Sequence, residues 1–592
     1  MNLRNGIRKD IVRSVGRWLG GSVGDLEQKV EVFRSVKADH GDYTSNVAFR
    51  LATSNKQQAI SNEAQLYHSP MEFAKKLADS LKNQPYVRKL EVKEPGFLNF
   101  FIKEEVLARE VENVLKRDKF ESKFFGKKIV VEFTDPNPFK EFHVGHLFSN
   151  SVGEAISRML EVVGAQVMRA NYQGDVGLHV AKCVWGIRNN IKNQKSKIKD
   201  LKKKSLQERI NFLGSAYAEG ASAYETDSKA KEEIIKLNKE IYEHLDQIEE
   251  YKLGKAWSLE NFEAIYKRLG TKFDFYYFES EVGQEGLKIV RDNLQKGVFE
   301  ESQGAIIFPG EKHGLHNRVF ITGQALPTYE AKELGLAFRK YQDFTYDLSI
   351  IVTGNEIVDY FKVLIMAIEQ VNPKLAAKTL HITHGMLRMP GGKVSSRLGN
   401  VIGAQSLLDE AKKRALKLAA EKKIAKDVDV ESVAEKVAVG AVKYALLKGN
   451  ANQDIKFSFD EAMALEGNSG PYLQYTYARC RSVIEKSKRV KELRVKSQKG
   501  DFSSLAGEEE LLLRSLGHFE ETVVAAAEDF APNQVASFLF EIAQKYNNLY
   551  NNLRIVDSKE PERSRRLFLT EATAKVLKKS LFLLGIEAPV KM

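Results

Sequence analysis

Apolar positions along this chain recur with two different periods, and the changes between them divide it into segments. Near the start, Leu3, Ile7, Ile11, Val12, Val15 and Leu19 fall three or four residues apart and predict a helix. Leu90-Glu91-Val92 and Phe97 to Ile102, separated by Pro95-Gly96, predict a strand, a turn and a second strand. A charged helix follows from Glu104 to about Lys119. Ile129 to Thr134 is a short run suited to a buried strand, and Pro136-Asn137-Pro138 turns the chain. Val152, Ile156, Met159, Leu160 and Val163 then mark a helix that Gly164 closes, and Gln166 to Ala170 forms the next strand. This β-α-β unit is half of a parallel, doubly wound sheet, whose ligands bind at the carboxyl ends of its strands. From Ala181 the pattern becomes long, polar and helical to about Tyr277, which predicts a helical insertion, placed at about 181–272, between two halves of the sheet. Strand-like pieces return at Ala305–Phe308, Val319–Ile321, Leu348–Val352 and Leu380–Ile382, with helices at Tyr329–Lys340 and Val358–Ile368. From Ala404 onward the pattern is almost wholly helical. The expected organisation is therefore multidomain: a small α+β domain over 1–108, a Rossmann-like α/β domain over 123–403, connecting helices over 404–465 and an all-α domain over 466–592.

Composition sharpens this picture only a little. A chain of 592 residues exceeds what one core supports. Two cysteines, Cys183 and Cys480, make neither a disulfide framework nor a thiolate zinc site, so a reducing compartment and a cytoplasmic protein are expected. No apolar run is long enough to span a membrane, and no membrane partner is expected. The net charge of +12 suits a polyanionic partner without proving one. Arg4, Arg8, Lys9, Arg13 and Arg17 would also suit an organelle-targeting helix; Asp10 and the direct run into folded-looking sequence favour the first helix of a domain. The lysine-dense piece of the insertion, Lys192 to Lys204, reads as a solvated face rather than a nucleic-acid contact.

Two segments carry chemistry. His143-Val144-Gly145-His146 sits between a strand and a helix, so both imidazoles fall at a helix start that already attracts anions. Gly145 leaves room for an adenine or ribose to approach. Lys393-Val394-Ser395-Ser396-Arg397 is a glycine-flanked basic loop that follows the last strand. Lys393 offers a mobile charge to the β- and γ-phosphates, Ser395 and Ser396 offer hydroxyl donors, and Arg397 a forked donor. Each motif alone arises by chance. Together, at strand-to-loop junctions, they predict ATP binding, with His143, His146, Lys393, Ser395 and Arg397 steadying charge on phosphorus and departing pyrophosphate. Two histidines at this spacing, without a third ligand, make a poor zinc site, and no zinc is expected.

These two segments resemble the signature motifs of class I aminoacyl-tRNA synthetases, and the chain resembles the arginyl-tRNA synthetase family from end to end. The likeness covers His40 to Ala48 and Pro95 to Phe100. It continues through Val131-Glu132-Phe133, Asn137, Lys140 and His143 to Leu147, Asn171 to Gly177, and Phe273-Asp274 with Glu279-Ser280. It ends in Glu466 to Tyr475 with Ala478-Arg479, and the tail Leu583 to Met592. The insertion is the least family-like part. The resemblance implies a class I catalytic domain, an N-terminal domain that contacts the D-loop region of tRNA, and a C-terminal anticodon-binding domain. It implies activation of L-arginine by ATP, with Mg²⁺ accompanying the nucleotide, transfer to tRNA(Arg), and activation that requires bound tRNA. A monomer is expected.

A guanidinium calls for carboxylates, because its planar fork favours paired acceptors. Glu132 lies in an apolar strand, where a carboxylate needs a partner. Tyr329 and Glu333, at i and i+4, share a helix face. Asn137, next to the histidine segment, suits the α-amino or carboxylate end, and the resemblance adds His143. The family usually has serine where Asp135 stands, aspartate at Glu333, glutamine at Ile357, proline at Glu141 and a basic residue at Leu398. The net acidity is kept, so the same cation is expected in a repacked pocket. For tRNA, aromatics interleave with basic residues at Tyr472, Tyr475 and Arg479, and at Tyr546 and Tyr550. A helix-bundle core explains any one of these tyrosines equally well. The resemblance, not the spacing, singles out Gln474, Tyr475 and Asn547 and implies that the tail ending in Met592 packs near the anticodon site; Asn99, in the N-terminal likeness, and Tyr546, by its spacing, complete the expected tRNA contacts. The alternatives left open are a tRNA-binding paralogue without catalysis and a nucleotidyltransferase that uses no tRNA.

Overall fold

The computed structural model describes the chain except for residues 1–2, 20–22, 36–37, 55–68, 194–196, 390–402, 422–428 and 490–500. It forms two compact units. The first combines residues 1–118, 479–522 and 541–577; the second combines 119–478, 523–540 and 578–592.

In the first unit, Ile7, Ile11, Val12 and Val15 of helix Leu3–Leu19 are fully buried or nearly so. The interleaved cations are tied to the domain as well: Arg4 Nε donates to Val32 O at 2.6 Å and Arg8 Nε to Val30 O at 3.0 Å. The expected strand–turn–strand is present as Val87–Lys93 and Phe97–Ile102, within a four-stranded antiparallel sheet that also contains Phe33–Arg34 and Tyr43–Ser45. Asp42, buried at the start of the family-like Tyr43 segment, accepts from Ile102 N at 2.7 Å and from Arg514. Tyr43 donates to Glu521 at 2.9 Å. These two side chains join the sheet to helices Gly507–Gly517 and Phe519–Glu528.

The second unit is built on five parallel strands: β1 (Lys128–Glu132), β2 (Gln166–Gln173), β3 (Phe275–Phe278), β4 (Leu348–Gly354) and β5 (Thr379–His384). Their order across the sheet is β5-β4-β1-β2-β3. The chain leaves β1 toward β2 on one side, and β4 returns on the other. The carboxyl ends of β1 and β4 therefore flank the point where ligands bind in such sheets. Helix α1 (Val144–Val162) leaves this point and buries Leu147, Val152, Ile156, Met159 and Leu160.

Two expectations change. Phe275–Phe278, read with the helical insertion, is edge strand β3; a four-residue apolar-aromatic run next to a long helix does not betray its period. Ala305–Phe308 and Arg318–Ile321 lie outside the parallel sheet, in a separate antiparallel one with Glu300–Ser302. The insertion itself is helical, with helices Leu178–Lys192, Leu206–Thr226, Ser228–His244 and α2 (Glu249–Leu269) closing over Val184, Leu213, Ile234, Ile241 and Trp257. Helix α3 (Tyr329–Asp343) covers the sheet near β1.

Candidate active site

The loop after β1 is held in an unfavourable backbone shape. Thr134, Asp135 and Phe139 have φ of +81°, +42° and +68°, rare for residues with a Cβ and rarest for a branched one. Neighbouring elements hold them there. Thr134 N donates to Ser149 Oγ at 2.9 Å, while Asn150 Nδ2 donates to Thr134 Oγ1 at 3.0 Å. Ser149 Oγ in turn donates to Val352 O of β4 at 2.9 Å. Tyr172 N donates to Asp135 Oδ1 at 2.8 Å, and Phe139 N to Ser258 Oγ of α2 at 2.9 Å. The loop is thus positioned by α1, α2, β2 and β4 together.

His143 is the N-cap of α1, and its Nδ1 accepts from Gly145 N at 3.1 Å. His146 Nδ1 accepts from His143 N at 3.2 Å, and the two rings stack at 3.7 Å. Burial lowers the basicity of both imidazoles, most strongly His146, and nearby Lys140 and His384 add to the effect. With each Nδ1 accepting a backbone N–H, the ring proton of each neutral imidazole resides on Nε2. A Cβ on residue 145 would fall 2.9 Å from the His143 ring, so glycine is what permits the cap. The end of β5 supplies a third imidazole that the sequence reading passed over: His384 is buried, its ring is tilted 36° to that of Phe148 with centres 4.6 Å apart, and it bonds through Nδ1 to Gly385 O at 2.8 Å. Lys393, Ser395, Ser396 and Arg397 lie outside the described residues.

Beside this helix start is a cluster of acids. Glu132, 1% exposed, ends β1 and pairs with Lys340 of α3 at 2.5 Å. That lysine is the partner an acid in an apolar strand requires, and sequence spacing gave no sign of it. Asp135 and Glu333 face the same pair. Burial and the Glu132 charge raise both carboxyls well above their usual range, and Lys340 only partly offsets this. Glu333 accepts no hydrogen bond among the described residues. Tyr329 is 58% exposed on the same helix. Asn137 is partly buried, and its Oδ1 lies 2.2 Å from where a Cβ on Gly174 would stand. Ile357 ends a short turn after β4 and is partly exposed. Just after β2, Asp175 accepts from Tyr251 Oη (2.8 Å), Lys255 Nζ (2.7 Å), Ser280 N (2.9 Å) and Ser280 Oγ (2.7 Å), which fastens α2 to the sheet.

The residues proposed to touch tRNA fare differently. Asn99 is buried in the first unit, where its Oδ1 accepts from Thr44 Oγ1 at 2.7 Å. Gln474 is fully buried in the second, donating to Lys436 O at 2.9 Å and Glu587 O at 2.7 Å. Tyr546 is fully buried as well. None of the three presents the exposed edge or ring that base recognition needs; Gln474 instead ties down the carboxyl-terminal tail. Asn547 is 8% exposed and accepts from Arg479, whose guanidinium lies 4.8 Å from the ring centre of Tyr550. Tyr475 is exposed and Met592 partly so.

A parallel sheet with this strand order, and two capping histidines where α1 leaves β1, defines the catalytic domain of a class I aminoacyl-tRNA synthetase. Comparison with known proteins narrows the class. The family described as class I (R) tRNA synthetases, catalytic domain, matches residues 110–459; the DALR anticodon-binding domain matches 473–592, and the arginyl-tRNA synthetase N-terminal domain matches 1–102. The chain belongs to the arginyl-tRNA synthetase family. It is 30% identical to the arginine–tRNA ligase of Fusobacterium nucleatum over 575 residues, 95% of each chain. It is 31% identical to that of Treponema denticola over 502 residues, covering 83% of this chain and 84% of the other. The arginyl-tRNA synthetase structure from Thermus thermophilus superposes with a TM-score of 0.80 at 25% identity, covering 100% of both chains. The one from Plasmodium falciparum, at 20% identity and a TM-score of 0.77, shares the fold.

Proposed function

We propose how this ATP-dependent arginine–tRNA ligase performs its reaction. The arginine guanidinium enters the hollow of Glu132, Asp135 and Glu333, with Tyr329 packing along its side chain. The supporting observation is the imbalance of charge: three interacting carboxylates face one ammonium, Lys340, and that ammonium is already bonded to Glu132. A second cation, planar and able to serve Asp135 and Glu333 together, completes the balance. Asn137 and His143 take the other end of the amino acid, next to the start of α1.

ATP lies over that helix start, with Gly145 beneath the nucleoside. Neutral His143 and His146 donate from Nε2 to oxygens on phosphorus, and the helix N-terminus adds its partial positive charge. An oxygen of the arginine carboxylate bonds to the α-phosphorus as the bond to pyrophosphate breaks. Lys393, Ser396, Ser395 and Arg397 follow the departing charge. No protein base is needed; the rate comes from positioning and from donors aimed where charge develops. No described group of three His, Cys, Asp or Glu side chains is set to hold a metal. As the family resemblance implies, Mg²⁺ would accompany the phosphates of the nucleotide. A terminal ribose hydroxyl of tRNA(Arg) then bonds to the arginyl carbonyl carbon as AMP leaves, and exposed Tyr475 is the candidate for anticodon contact.

Exchange of pyrophosphate into ATP, measured with tRNA present, tests the pocket. Glu333→Gln removes one charge from the guanidinium's partners and is expected to raise the KM for arginine by about 10- to 100-fold. The KM for ATP stays within about twofold. An unchanged arginine KM would overturn the assignment. So would equal use of another amino acid by the unaltered chain.

A further inference from the structure

The stretch that carries the chain from β5 toward Lys393 is held by residues about sixty positions further on, and one carboxylate makes much of that hold. β5 ends at His384, beside the start of α1. Its ring lies next to Phe148, close enough to His143 and His146 to add to the loss of basicity that burial causes in both. The following residues leave the parallel sheet. Gly385 N donates to Ala451 O at 2.8 Å, and Leu387–Arg388 pairs in parallel with Ile455–Lys456. Ile455 N donates to Met386 O and Phe457 N to Arg388 O, both at 2.8 Å. A Cβ on residue 385 would fall 2.2 Å from the backbone of Gln453, so glycine is what lets the two segments approach. Phe457, 1% exposed, sets its ring 5.1 Å from that of Phe459 and anchors the partner segment.

Two paired residues make a weak ladder on their own. Asp454 reinforces it: Oδ1 accepts from Met386 N at 2.9 Å, and Oδ2 accepts from Arg388 Nε at 3.0 Å and lies 2.7 Å from Nη2. The Met386 amide, and then Arg388, hold this carboxyl below its usual range. Beyond Arg397 the chain returns to the histidine segment itself, where Gly403 pairs with His143 and Ala404 N donates to Phe142 O at 2.9 Å. The basic segment thus has one foot on the histidines and the other on residues 451–457, which follow the helix Val430–Leu447. We infer that Asp454 is a positioning residue for the ATP half of the reaction: through Met386 N and Arg388 it fixes residues 385–388, and so the point from which the chain departs toward Lys393. This rests on the ATP placement proposed above. A lysine is a point charge on a flexible stem, so the backbone that carries it decides where its ammonium is delivered. The bond to Met386 N carries the greater part, because the Arg388 side chain is 74% exposed and such ion pairs contribute little.

Pyrophosphate exchange by the full chain with tRNA, with ATP and arginine varied in turn, tests this. Asp454→Ala removes both bonds and leaves the backbone pairing; it is expected to raise the KM for ATP by about 10-fold and to keep the KM for arginine within about twofold. Asp454→Asn keeps an acceptor for Met386 N and loses the charge facing Arg388, so it returns the KM for ATP to within about threefold of the unaltered chain. Should Asp454→Ala fail to fold, Met386→Pro removes the donor at an exposed position and keeps the ion pair; the same split between ATP and arginine is expected. ATP and arginine KM values that rise in parallel, as a purely structural role would give, overturn the proposal, as does an ATP KM that moves in neither variant. Lys393→Ala keeps the two readings apart. If it too leaves the ATP kinetics unchanged, the ATP placement itself is lost; if it alone impairs them, only the role of Asp454 is.

Discussion

Individual side chains here are set by neighbours that spacing in the sequence does not reveal. Glu132 was visible as an acid in an apolar strand, and its need for a partner followed from burial. The partner, Lys340, lies 208 positions away. Asp135 and Glu333 show the consequence of unequal numbers: with one lysine for three acids, burial and mutual repulsion raise both carboxyls. A bound guanidinium favours their ionised forms, so binding releases protons wherever the empty site holds them. The KM for arginine is accordingly expected to rise as pH falls from about 8 to about 6, with a smaller slope in Asp135→Ser. Steady-state kinetics over that range decide it; identical slopes in the two chains would show that Asp135 is not part of the linked set. The imidazoles behave oppositely. Burial keeps His143 and His146 neutral below the usual histidine range, so they act as Nε2–H donors rather than cations at neutral pH.

Elements are joined through buried polar groups as much as through apolar faces. The helix Val430–Leu447 shows this. Its Lys443 is fully buried and donates to Leu269 O at the end of α2 (2.6 Å) and to Gly585 O in the tail (3.0 Å). Burial, followed by the nearby Arg158 charge, lowers this amine to about 7. An unfolded lysine holds its proton more tightly, so between pH 7 and the ordinary lysine value the unfolded state binds more protons and folding strengthens with rising pH. Denaturant unfolding from about pH 7 to about pH 9 should show the unaltered chain gaining up to about 1.4 kcal/mol per pH unit relative to Lys443→Met. Parallel curves would mean that the amine stays protonated in the fold. The helices themselves, including α1 and α3, were legible from their apolar spacing. The short strand β3 and the change to an antiparallel sheet at Ala305–Phe308 were not, because pairing partners, not local period, decide both.

For the whole molecule, charge carries a consequence that no single contact does. A net charge of +12 on a tRNA-binding chain predicts association driven in part by release of counterions. Aminoacylation measured over increasing salt should show log KM for tRNA rising in proportion to log salt, with a slope of at least about 2, while the KM for arginine, held in a partly buried hollow, changes far less. A tRNA KM that ignores salt would remove electrostatics from tRNA capture. The same scale corrects the reading of the family-like segments. Asp42, Tyr43, Asn99 and Gln474 all belong to segments that resemble the family, and all are buried and bonded to their own chain. Likeness in such places records what holds the fold together as readily as what touches tRNA.

The amino-acid order by itself determined the periods that make helices and strands, the glycine-spaced histidines at a helix start and the excess of acids suited to a cationic substrate. These are local properties, set by backbone geometry and by the chemistry of each side chain. Only the tertiary structure decided which acid is already neutralised, which oxygen remains open and which polar residue is buried. Those outcomes depend on approach between elements hundreds of residues apart, where a few ångströms separate a satisfied charge from one that waits for a ligand.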